Sequence, residues 1–117
     1  MKNLRYAIGL LEIMTLVFNY NKKNDNINTI KKLYKTYKNG EISECNHNGE
    51  TVYICGISAY DAGGVIYDKD GEIIGSCNYA WGTVDSICGE LEDCEVIYWM
   101  KDNIWGQPHV DKYNLGD

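Results

Sequence analysis

Proline occurs once, at Pro108, and no two cysteines stand in a C-x-x-C pair. The first scarcity argues against a linker-like or disordered chain. So do ten tyrosines and three tryptophans, which give more surface to bury than such chains carry. The second removes the short zinc-binding and dithiol redox motifs. No G-x-S-x-G, H-E-x-x-H or phosphate-loop pattern occurs, and only His47 and His109 are available as histidine bases. The mostly apolar run "YAIGLLEIMTLVF" (6–18) has thirteen residues and contains Glu12, so it is too short to cross a bilayer as a helix. No metal site, cofactor or transmembrane span is expected.

At 117 residues the chain is one small domain. Its charge is unevenly placed. Residues 1–40 hold eight Lys/Arg against Glu12 and Asp25, whereas the remainder holds three lysines against fifteen acids, a balance of −12 within an overall −6. An acidic body repels phosphate backbones, so nucleic acid is not an expected partner. The lysines of the basic portion read as a solvated helix face.

The start resembles an export signal. A short basic segment, "MKNLR", precedes the apolar run, and an abruptly polar "NYNKKNDN" follows it. This order is similar to bacterial lipoprotein signals, but Tyr20 stands where the lipidated cysteine would be and cannot form the thioether. A membrane anchor is therefore doubtful. Residues 1–20 read as signal-like and 21–117 as a single α+β domain. The alternative is a cytosolic protein whose N-terminal helix packs on the domain or mediates oligomerisation.

Beyond that segment, Ile27, Ile30, Leu33, Tyr34 and Tyr37 recur at helical spacing, with Asn26 as N-cap and Asn39-Gly40 as the stop. The pattern then changes to period two. "EISECNH" and "ETVYICGIS" flank Asn48-Gly49, a strong hairpin signal, and "GGVIY" and "EIIGSC" flank the turn "DKDG". "TVDSICGEL" reads as a short second helix capped by Thr83, and "CEVIYWMK" as a fifth strand. The tail from residue 102 is irregular. The expectation is α+β: one helix packed on an antiparallel meander of about five strands, with a short second helix.

Across 49–98, "GETVYIC", "VIYDKDGEIIGSC" and the downstream Cys94 resemble a family of small exported bacterial lipoprotein-type domains of unknown function. The resemblance implies an exported domain containing disulfides, and carries over no catalytic residue.

Five cysteines fall within fifty residues, at Cys45, Cys55, Cys77, Cys88 and Cys94. In an oxidising compartment they read as two disulfides and one thiol. Cys88–Cys94, closing a short loop, is the first choice and Cys55–Cys77 the second. With a two-residue turn Cys45 pairs with Val52 and faces away from Cys55, which argues against joining those two. "DKDG" is not a calcium loop, because Ile73 and Tyr79 occupy the positions that need glycine and glutamate. The loops "NYAWGTVD" and "NIWGQPHVD" place Tyr79, Trp81, Trp105 and His109 beside glycines, a good composition for recognition anchors. The alternative is that Trp81 and Trp105 seal the ends of a thin core.

These readings point to a small exported, non-catalytic binding or accessory domain of the bacterial envelope, with a protein or glycan partner. The contrasting possibility is a small cysteine-dependent enzyme pairing a free cysteine with His109. The exposure and pKa of the free thiol discriminate between them.

Overall fold

The computed structural model describes residues 26–60 and 63–116. The signal-like segment 1–20 lies outside them. Helix α1 (Ile27–Tyr37) buries Ile30, Leu33 and Tyr37 along one stripe and leaves Lys31, Lys32 and Lys35 in solvent. The strands are β1 (Gly40–His47), β2 (Glu50–Ile57), β3 (Gly64–Tyr67), β4 (Ile73–Asn78), β5 (Thr83–Val84), β6 (Glu92–Trp99) and β7 (Val110–Asp111). They form one antiparallel sheet in the order β5-β4-β3-β2-β1-β6-β7. The fold is α+β.

Both hairpins lie where turn chemistry puts them. Asn48 and Gly49 take φ of 52° and 83°, so a two-residue turn joins His47 to Glu50 and sets Cys45 opposite Val52. In "DKDG" the Asp68 carboxylate accepts from the Asp70 and Glu72 amides at 2.9 and 3.0 Å, and Gly71 takes φ 86°.

Four expectations need correction. Asn26 precedes the helix but makes no side-chain cap; only its carbonyl bonds onward, to the Ile30 amide at 3.0 Å. The helix does end just before Asn39-Gly40, but Gly40 is not a left-handed cap; it opens β1, and its value is close approach, since a Cβ there would collide with the Gly56 carbonyl oxygen. The expected second helix contracts to a 3₁₀ turn, Ser86–Gly89, because Thr83 and Val84 pair with β4 as the short edge strand β5. Finally, the meander of about five strands is a seven-stranded sheet: β6 leaves β5 and returns to the far side of β1, and the tail adds β7 beside it.

The sheet buries apolar residues on both faces. On one, Ile30, Leu33 and Tyr37 meet Ile42, Tyr53, Cys55, Ile97 and Tyr98. Tyr37 and Tyr67 share a hydroxyl hydrogen bond at 2.7 Å, and the Tyr98 hydroxyl donates to the Lys38 carbonyl at 2.6 Å, fixing the C-terminal end of the helix to β3 and β6. On the other face a smaller cluster, Cys45, Val52, Ile66 and Cys77, lies under Ile87, Cys88 and Leu91 of the segment after β5. That segment is short, so the second face is only partly covered.

Two disulfides fasten this cover, Cys45–Cys94 and Cys77–Cys88. Neither expected pairing forms. Cys94 and Cys88 each bond elsewhere, and Cys55 remains a free thiol, turned to the helix face. The parity argument holds, since Cys45 and Cys55 belong to opposite faces. What local spacing missed is that β6 lies beside β1, where a register shift between Glu44 and Asn46 brings Cys94 within 4.1 Å (Cα–Cα) of Cys45.

Candidate functional site

The uncovered part of the second face is a groove of about 420 Å3. Its floor comes from β1 and β2, with Glu41, Ser43 and Ile54; Ile57 borders it at the end of β2, and Tyr60, Tyr79 and Trp105 stand at its walls. Four of these are among the larger exposed apolar side chains: Ile57 at 49 %, Tyr60 at 78 %, Tyr79 at 72 % and Trp105 at 43 %. Rings of this size left in solvent around a concavity are a recognised mark of a binding site.

Trp105 is held in place by the loop beneath it. Asn103, 5 % exposed, donates from Nδ2 to the carbonyls of Met100 (3.1 Å) and Gln107 (2.9 Å) and accepts from the Gln107 amide (3.0 Å). The Ile104 amide donates to Ser58 Oγ at 3.1 Å, tying the loop to the end of β2. The Trp105 ring then rests 6.4 Å from that of Trp99. A wall braced in this way loses little freedom when it meets a ligand.

Glu41 is the one carboxylate at the groove. It lies between Gly56 of β2 and Trp99 of β6 in the sheet register, so all three positions share this face. Burial pushes its carboxyl up from the ordinary glutamate range. Among the described residues the two ion pairs are His47–Glu90 and Lys112–Glu95, and no cation or hydrogen-bond donor partners Glu41.

Of the residues singled out from sequence, Tyr79 and Trp105 meet at the groove. Trp81 does not line it; it projects at 75 % exposure from the β4–β5 turn, where its amide is held by Asn78 Oδ1 at 3.1 Å, so it seals no core. His109 is turned to the sheet edge, its Nδ1–H donating to the Trp99 carbonyl at 2.7 Å and its ring packed edge-on against Tyr98. Tyr60 and Glu41 were missed. Tyr60 sits beside glycines in "AYDAGG", the same composition that marked the other loops. Nothing local distinguishes Glu41 from any solvent-facing strand glutamate.

The free thiol has the wrong setting for a nucleophile. Cys55 is 1 % exposed, and desolvation, with the nearby Glu41 charge second, drives its pKa strongly upward. Neither expected base reaches it. His47 bonds Glu90 at 2.9 Å, and His109 is engaged with Trp99 and Tyr98. Among the described residues no three or more His, Cys, Asp or Glu side chains are grouped to hold a metal ion, and no helix is long and apolar enough to cross a membrane. A second cleft, polar and without aromatic walls, runs between Thr29, Thr51 and the Lys69-Asp70 turn, where Thr29 Oγ1 donates to the Lys69 carbonyl at 2.7 Å. In comparisons with protein-family models, curated proteins and solved structures, nothing matches the chain.

Proposed function

We propose that this protein is a small exported domain that binds another macromolecule of the bacterial envelope through the aromatic groove, without catalysing a reaction. The observation that carries the reading is the groove: three exposed rings around a concavity, one on a braced loop, over a sheet face that the fold leaves uncovered. Two disulfides in a domain of this size suit an oxidising compartment, which supports export. The resemblance of 49–98 to exported lipoprotein-type domains points the same way. A cysteine-dependent enzyme is the weaker reading, because the free thiol is buried and held protonated.

Two measurements test this. The intact mass of protein from its native host, before and after reduction with alkylation, should show a chain starting near residue 20 with two bridges; a full-length chain with five free thiols refutes export. Binding of the oxidised protein to envelope fractions of that host should fall at least tenfold in Tyr60→Ser/Trp105→Ala while the unfolding midpoint stays within a few degrees. Undiminished binding by that variant removes the groove from the function.

A further inference from the structure

Resting on the groove as the binding surface, we infer that its ligand is a basic segment of a polypeptide, one lysine or arginine side chain of which lies in the groove with its cationic end on the Glu41 carboxylate and its alkyl stem between the aromatic walls.

The argument begins with the carboxylate. Glu41 is half-buried on a floor it shares with Ser43 and Ile54, and no described residue donates to it or pairs with it. Removing a carboxylate from water without a partner is unfavourable, and an arriving cation repays it. On β2 the register partner of Glu41 is Gly56, where a Cβ would stand 3.7 Å from Glu41 Oε1 and 2.9 Å from the Gly63 carbonyl oxygen, so no side chain shields the carboxylate there and the nearby carbonyl is a second acceptor for a cation. The walls suit the same ligand. Tyr60, Tyr79 and Trp105 offer ring faces, which attract ammonium and guanidinium groups, and Ile54 and Ile57 offer surface for a methylene stem.

Charge complementarity extends beyond the groove. The sequence from residue 41 onward balances at −12, so a basic segment is drawn toward this body before any specific contact forms. A glycan fits less well. Sugar recognition needs several convergent hydrogen-bonding groups, whereas the polar side-chain groups here are Glu41, Ser43, two tyrosine hydroxyls and the Trp105 indole N–H, of which only Glu41 carries charge.

The test titrates the oxidised full chain, at about 150 mM salt, with a glycine-spaced tri-lysine peptide, its tri-arginine counterpart, a glycine-spaced tri-glutamine peptide and chitohexaose. Binding is followed by the Trp105 indole resonance. The lysine or arginine peptide should shift that resonance, and Glu41→Gln should weaken binding about tenfold, the size of one charge-assisted contact. Glu92→Gln removes the same charge from the exposed start of β6 and should weaken it less than twofold. Equal losses in the two variants would mean diffuse attraction to an acidic surface and overturn the inference. Chitohexaose or the glutamine peptide moving Trp105 while the basic peptides do not would also overturn it, yet leave the groove as the binding surface. Envelope binding that survives Tyr60→Ser/Trp105→Ala would overturn the groove reading and this inference with it.

Discussion

Deleting either disulfide tests the topology directly, because the two bridges close loops of very different length. Cys45–Cys94 spans 49 residues and Cys77–Cys88 spans 11. If each bridge acts by restricting the unfolded chain, the loop-closure relation gives about 4.1 kcal/mol for the long loop and about 2.8 kcal/mol for the short one. Cys45 and Cys77 are both buried in the same cluster, at 4 % and 3 % exposure, so the small cavities left by alanine nearly cancel. Cys88 is half-buried while Cys94 is exposed, which narrows the gap by roughly a few tenths of a kcal/mol. Urea unfolding of Cys45→Ala/Cys94→Ala should therefore show about 1 kcal/mol more loss than Cys77→Ala/Cys88→Ala. Its m-value should also rise further, since an unfolded chain freed of the longer loop exposes more surface. Equal losses, or the reverse order, would refute the assignment. So would a Cys88–Cys94 linked peptide in a non-reducing digest.

Three other changes probe the framework and the groove. Gly40→Ala should destabilise by about 2–3 kcal/mol in the same urea assay, because backbone at Gly56 blocks the new methyl and cannot move without breaking the β1–β2 ladder; an unchanged midpoint would refute that close approach. Asn103→Ala should cost about 1–3 kcal/mol, as two carbonyls and one amide lose their buried partner, and hydrogen exchange should quicken at Gly106 and Gln107 while β1 and β2 keep their protection. Uniform loss of protection would show that the loop is not a separable unit. Glu41→Gln should stabilise the unliganded protein at pH 7. The native carboxyl is raised above its unfolded value, so its penalty is fully present above the raised pKa and fades as pH falls toward the ordinary glutamate range. The advantage of the glutamine variant should vanish on acidification; an advantage independent of pH would mean that desolvation of the charge is not its cause.

The opposed effects expected for Glu41 have a common origin. A group that lowers stability in the free protein and raises affinity in the complex is a familiar compromise at binding surfaces. Here it depends on three features of one sheet face: a glycine on one side, an indole on the other and a short cover that stops before reaching them.

The sequence by itself determined the helix, the two hairpins and their turns, because each is written in contacts within about ten residues. Apolar spacing placed Ile30, Leu33 and Tyr37 on the buried stripe, and the backbone demands of Asn48-Gly49 set a register that separated Cys45 from Cys55. The same register implied that any bridge from Cys45 must leave the hairpin. Only the tertiary structure decided where it goes. The return of β6 beside β1 joins residues about fifty positions apart, and no local periodicity records which edge of a sheet a later strand will take. The groove belongs to the same class of facts. Tyr60, Tyr79 and Trp105 come from three separate loops, and Glu41 acquires its character only from the Gly56 and Trp99 that the sheet places on either side of it. Side-chain alternation told which face a residue takes; what covers that face, and what is left open, followed from strands and loops distant in the chain.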